Sequence, residues 1–205
     1  MEQVLSQSNA STAVVRAGRW WFQWRGFSPL PLILLCLVVP PNFVLAPGQL
    51  FIVLIGMALC ELARVWAVGY AGSATRTRGD RVPGLVHAGP FRYVRNPLYI
   101  ANGALYTLCG IAFGFSWLSA FIAAYFAIQY SLIVAFEEDV LRREFGAAYA
   151  FYCARVRRWW PSLEASVESS AHAFDLRKAL RSERATLLAL AIIVALMFAK
   201  RAYLQ

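Results

Sequence analysis

Hydrophobic residues in this chain gather into long runs, broken by short polar, aromatic and basic intervals. Five runs stand out: residues 29–46, 48–70, 97–115, 117–136 and 185–199. A helix needs about 20 apolar residues to cross a hydrocarbon core of roughly 30 Å, and the second run has that length. Pro40-Pro41 cuts the first, which predicts a kink or an early end, because proline removes a helix hydrogen bond. Only Gly114, Phe115 and Ser116 separate the third run from the fourth, so these two are expected to form a helical hairpin that crosses and returns. The fifth is short for a span unless Tyr203 and Leu204 carry it past Lys200 and Arg201. The pattern predicts an all-α fold: an integral membrane helical bundle of about five transmembrane helices.

The intervals divide the chain into four parts. Residues 1–28 are a tail and an interfacial helix, 29–70 two N-terminal spans, 71–161 a core, and 162–205 a connector, an amphipathic helix and a last span. Residues 1–12 are polar and have no basic start leading into an apolar core. They are expected to be a disordered tail, not a signal peptide. In residues 13–28, Arg16, Arg19 and Arg25 alternate with Trp20, Trp21, Phe22, Trp24 and Phe27, a mixture suited to a helix at headgroup level. Residues 137–158 read as amphipathic and interfacial, with Leu141, Phe145, Tyr149, Tyr152 and Val156 on one face. Gly146 is expected to divide them.

Sixty per cent of the 205 residues are hydrophobic and 15% are charged, and the formal net charge is +9. A basic excess can mark nucleic-acid binding, but that needs a soluble basic domain. Here the cations flank apolar runs instead. Three precede the first run, five lie between the second and third, and nine lie between the fourth and fifth. None lies near 41–48 or 114–117. Cytoplasmic loops carry the excess of Lys and Arg, so the N-terminus is expected in the cytoplasm and the C-terminus outside, in a bacterial inner membrane. Lys200 and Arg201 are the exceptions.

Two polar clusters bracket the hairpin. Residues 84–102 combine glycine turns, Phe91, Tyr93, Tyr99, Arg92, Arg95 and an Asn96-Pro97 break. Glu137-Glu138-Asp139 follow the second arm. The hairpin returns the chain to the side it left, so the clusters are expected to face one another, on the cytoplasmic face. Glu61 and Arg64, at i and i+3, share a helix face inside the second run. They are expected to pair or to line a cavity. Cys36, Cys60, Cys109 and Cys153 form no CxxC and read as reduced thiols. With only His87 and His172 besides, no metal site is expected. There is also no P-loop, GxGxxG or Ser-His-Asp pattern. What remains suits a small charged cofactor: a glutamate for an ammonium or a ribose diol, backbone N–H groups near Gly84 and Gly89, and aromatics for a purine or a sulfonium.

Gly84-Leu85-Val86, Gly89-Pro90-Phe91, Arg95-Asn96-Pro97 and Tyr99, followed by Glu137-Glu138 and Phe145-Gly146-x-x-Tyr149, resemble the isoprenylcysteine carboxyl methyltransferases and related phospholipid methyltransferases. The resemblance covers about residues 80–161. It implies S-adenosylmethionine held between the motif loop and the glutamate helix, with a lipophilic acceptor (carboxylate, amine or thiol) arriving from the bilayer. Carried over by position, the cofactor contacts fall on Pro83, Gly84, Leu85, Val86, Phe91, Asn96, Pro97, Leu98, Tyr99 and Glu137. Arg95 is the candidate to orient an anion, and Glu138 the candidate base. Four positions depart from the family pattern: Phe91 replaces a tyrosine, Asn96 a histidine, Ala101 a glycine, and Ile133 an arginine expected to hold the substrate carboxylate. Two other readings are a sterol-reductase-like enzyme using reduced nicotinamide dinucleotide, and a non-catalytic lipid-binding or assembly protein of the membrane.

Overall fold

The computed structural model describes residues 2–72, 84–162, 164 and 173–204, with side chains from residue 12 onward. Within them are six α-helices: α1 (Glu2–Trp24), α2 (Leu30–Val38), α3 (Pro47–Ala71), α4 (Pro97–Ala112), α5 (Trp117–Arg155) and α6 (Leu176–Tyr203). A short 3₁₀ turn, Gly89–Arg92, sits in the motif loop. The all-helical class is as the apolar pattern predicts.

The number of full-length spans is smaller than expected. Only α3, α5 and α6 are long and apolar enough to cross a membrane among the described residues. The first run yields just the nine residues of α2, about 14 Å at 1.5 Å per residue. Pro40-Pro41 stops it because neither residue can donate the next helix bond. The 16 residues of α4 reach about 24 Å. The last run gains instead. Asp175 caps the helix by accepting from the Lys178 N–H at 2.8 Å, and the charged segment and the apolar run then form one helix of 28 residues. The polar start is likewise helical from Glu2, not a coil. No glycine or proline breaks the chain before Gly18, so helix propagates through it.

Apolar faces of α3 point outward: Phe51, Ile52, Leu59 and Leu62 are each at least 60% exposed. A bilayer would cover such a stripe, whereas water would not. Inside, Met57, Leu105, Leu118, Ile122, Phe126 and Ile133 join the elements into one core. Helix α1 lies against α5 at very short range. A Cβ on Gly18 would fall 2.0 Å from the Leu132 carbonyl oxygen, so only glycine fits at this crossing.

The bundle has two distinct ends. At one, the α2–α3 loop closes on the hairpin turn: Asn42 and Phe43 N–H donate to the Gly114 carbonyl at 3.0 and 3.2 Å, and Asn42 Nδ2 donates to Ser116 Oγ at 2.7 Å. The C-terminus of α6 meets them there. Lys200 Nζ donates to the Cys36 carbonyl at 2.6 Å and the Val39 carbonyl at 2.5 Å, and Arg201 donates to the Leu45 carbonyl. The two cations that break the charge rule thus serve carbonyls at and beyond the end of the truncated α2, groups that are costly to leave unpaired in an apolar setting. At the other end lie Arg25, the motif loop, the glutamates and residues 156–162.

Candidate functional site at one end of the bundle

The hairpin brings residues 84–99 and the glutamates of α5 together, as its geometry predicts. Tyr99, in the first turn of α4, donates its hydroxyl to Glu137 Oε1 at 2.8 Å. A third partner comes from the N-terminal segment. Arg25 Nη1 donates to the Tyr99 hydroxyl at 3.2 Å and to Glu137 Oε1 at 3.4 Å, and its guanidinium lies over the Phe22 ring at 3.9 Å. The Glu137 side chain remains 31% exposed.

Glu138 points elsewhere, and its side chain is only 3% exposed. Arg158 donates through Nε at 2.9 Å and through Nη2 at 2.5 Å. Arg142 donates at 3.0 Å, and Arg95 Nη2 lies 3.4 Å away. Three guanidiniums thus surround the Glu138 carboxylate and occupy its lone pairs. The hydrogen bonds that Arg158 donates to the Glu138 carboxylate raise the Arg158 pKa above its ordinary value. Glu138 is therefore the buried hub of an ion-pair clamp. Arg95 is one of its partners.

The clamp fixes the motif loop to the end of α5. Arg95 N–H donates to the Arg157 carbonyl at 2.9 Å and Ser162 N–H to the Tyr93 carbonyl at 3.0 Å. Asn96 Nδ2 donates to the Arg158 carbonyl at 3.1 Å, and Tyr152 Oη donates to the Phe91 carbonyl at 2.7 Å. The amide at position 96 thus acts as a donor that ties two segments. The chain can make this return because Gly146 takes φ 47°, ψ −118° inside α5. Beyond that kink, Tyr149, Tyr152 and Val156 form a small buried cluster with Leu85, Phe145 and Cys153. On the other side, Gly89 has φ 55°. A Cβ there would fall 2.2 Å from the Tyr70 ring, so glycine lets the loop settle against the end of α3.

Of the sequence-predicted cofactor residues, Gly84, Leu85, Val86, Phe91, Asn96, Leu98 and Tyr99 are half-buried around this loop, and Pro97 is buried as the first residue of α4. Pro83 lies outside the described residues. Ile133 is fully buried in the core, and the cation beside Glu137 is Arg25 instead. Sequence reasoning missed Arg25, Tyr152 and Arg158. Arg25 follows an aromatic-arginine segment that reads equally well as a headgroup anchor, and nothing in a linear pattern aligns it with a residue more than a hundred positions on.

The fold and this cluster define a membrane-type helical protein with arginines and glutamates gathered at one end of the bundle. The family model described as phospholipid methyltransferase matches residues 48–148. The chain belongs to the isoprenylcysteine and phospholipid methyltransferase superfamily. It is also similar to the nickel-cobalt-cadmium resistance protein NccN of Alcaligenes xylosoxydans xylosoxydans, with 26% identity over 110 residues. That match covers 54% of this chain and 48% of the relative, so the chain spans about half the length of that protein. No solved structure matches the chain.

Proposed function

We propose that this chain is an integral membrane S-adenosylmethionine-dependent methyltransferase acting on a lipophilic acceptor, with the cofactor held between residues 84–99 and Glu137. The observation that carries this reading is the convergence of Tyr99 and Arg25 on the half-open carboxylate of Glu137, at the mouth of the hairpin. The donor set fits such a molecule. Glu137 accepts from an ammonium or a ribose diol, the half-buried stretch Leu85–His87 offers backbone groups, and Phe91 offers an apolar face. When bound, S-adenosylmethionine supplies an electrophilic sulfonium methyl group, which a nucleophile takes by in-line displacement.

The protein's own part is positioning and exclusion of water. The Glu138 clamp holds the motif loop rigid. Tyr99 fixes the rotamer of Glu137, and its ring continues into an aromatic wall through Tyr130 at 4.8 Å. Arg25 places a cation where an anionic acceptor would approach, the task assigned by resemblance to the position that Ile133 occupies. The charge distribution supports a cytoplasmic N-terminus and site. The meeting of both cation-free loops at the opposite end of the bundle agrees with that orientation.

The reading is tested by incubating the purified protein with methyl-labelled S-adenosylmethionine and total membrane lipid. Label is expected in the organic phase. Turnover of reduced nicotinamide dinucleotide in its place, or lipid binding with no methyl transfer, would favour one of the other two readings.

A further inference from the structure

Helix α6 carries four cations within eight residues: Arg177, Lys178, Arg181 and Arg184. All four are exposed. The same helix runs on without a break into the apolar stretch 185–199. Arg184 therefore stands at the edge of the apolar part, and Arg177 lies about 11 Å beyond it at 1.5 Å per residue. In a bilayer these positions fall among the headgroups. Of the three helices long and apolar enough to span, α6 is the least covered by protein. Within its most apolar stretch 6% is buried, against 33% in α3 and 44% in α5, so lipid is its main neighbour.

Helix phase sets where the cations face. Ala179, Glu183 and Met197 are the buried residues of α6 and mark its side toward the bundle. At about 100° per residue, Arg177, Arg181 and Arg184 fall within about 60° of one another on the opposite side. Leu188, 63% exposed, and Ile192, 50% exposed, continue the same row. The outer side of α6 thus reads as cations followed by apolar side chains, the order of a phospholipid from headgroup to chain. Carboxylates of the chain do not neutralise the row. Glu183 faces inward and accepts from Arg64 Nη2 at 2.6 Å, while Arg64 Nη1 donates to Glu61 Oε2 at 3.0 Å. Asp175 serves as the helix cap. Among the described residues no ion pair joins any of the four cations to a carboxylate. Nor do these cations stabilise the helix itself, because its dipole favours cations at the other end.

We propose that this face of α6 binds an anionic phospholipid of the surrounding leaflet, with its phosphate against Arg181 and Arg184 and an acyl chain along Leu188 and Ile192. Residues three apart on a helix have Cβ atoms about 5–6 Å apart, so one phosphate reaches both guanidiniums. A zwitterionic headgroup would bring its ammonium among four cations with no carboxylate between them. An anionic headgroup brings none, and the row therefore selects for net negative charge. The lipid lies at the end of the bundle that holds the motif loop. Phe174, just before α6, packs on Tyr70 at 5.5 Å, and Tyr70 packs on Gly89. The inference does not rest on methyl transfer, because the lipid binds without a methyl donor.

The test is native mass spectrometry of the full-length protein in detergent, titrated with dioleoyl phosphatidylglycerol or dioleoyl phosphatidylcholine. Each basic residue at an anionic lipid surface contributes about fivefold. Phosphatidylglycerol is therefore expected to bind at least about fivefold more tightly than phosphatidylcholine, and the preference should fade as salt rises from about 0.1 to about 1 M. Arg181→Gln/Arg184→Gln changes only exposed side chains, so it should keep the parent's Tm within about 2 °C and lose the preference. Arg16→Gln/Arg143→Gln removes the same charge from other exposed positions and should retain it. Free glycerol phosphate, a headgroup without chains, should not displace the lipid. Equal binding of the two lipids by the parent, a preference that survives in Arg181→Gln/Arg184→Gln, equal loss in both double variants, or displacement by glycerol phosphate would overturn the proposal.

Discussion

Adjacent glutamates on α5 are expected to fail in opposite ways when removed, and Glu138→Ala is the sharper case. Its carboxylate is bonded by Arg158 at 2.9 and 2.5 Å and by Arg142 at 3.0 Å, with Arg95 3.4 Å away. The Arg142 and Arg158 side chains are 57% and 38% exposed, so once released they reach water, and each costs no more than about 1 kcal/mol. Arg95 is different. It is 12% exposed, its Nε already lacks a partner, and removal of its counter-ion leaves a buried charge. Breaking a fully buried pair costs about 3–5 kcal/mol. Taking the lower end, because two of the three cations are partly solvated, gives about 3 kcal/mol. For a chain of this size that corresponds to a Tm lowered by roughly 6–12 °C.

The assay is thermal unfolding followed by the intrinsic fluorescence of the seven tryptophans. Glu137→Ala is the control. It loses one hydrogen bond and one long ion pair at a half-open position, worth about 1 kcal/mol. A Glu138→Ala protein that unfolds within about 2 °C of the parent would refute the clamp. Loss of methyl transfer in that same stable protein would return Glu138 to the role of base.

Three further outcomes follow from the packing. Gly18→Leu collides with the Leu132 backbone and should detach α1 from α5, seen as protease cleavage between residues 12 and 28 that the parent resists. Lys200→Met leaves the Cys36 and Val39 carbonyls without their donor and should cost about 1–3 kcal/mol, read as a Tm loss of several degrees with the apolar stem retained. A reporter fused after Gln205 that is active only outside the cytoplasm should score positive, and activity of a cytoplasm-only reporter there would reverse the proposed orientation.

Much of the architecture is legible in the apolar runs because membrane helices are specified by composition over long windows. The hairpin 97–136 and its tight turn follow from three intervening residues, and with them the meeting of the two polar clusters. Tertiary compensation is what the windows do not carry. Pro40-Pro41 signals a break but not that Lys200 crosses the bundle to satisfy the carbonyls it exposes. Asp175 as a cap joins a charged segment to an apolar one, although hydropathy separates them. Within the site, pairing of Glu137 with Tyr99 follows from the hairpin. The difference in fate between Glu137 and Glu138 depends on helix phase and on Gly146. The kink at Gly146 turns Arg158 back onto Glu138 while Glu137 faces Arg25. Glu61–Arg64 is readable at i, i+3, yet its third member, Glu183, lies on a helix that no local rule connects to it.

The central claim is a cofactor pocket walled by residues 84–99 and Glu137, and equilibrium binding of S-adenosylmethionine to the detergent-purified protein tests it most directly. The account predicts saturable binding by calorimetry. It also predicts at least a tenfold loss, about 1.4 kcal/mol, in a Glu137→Ala protein whose Tm stays within about 4 °C of the parent. Absence of binding in the parent, or unchanged affinity in the variant, would contradict it.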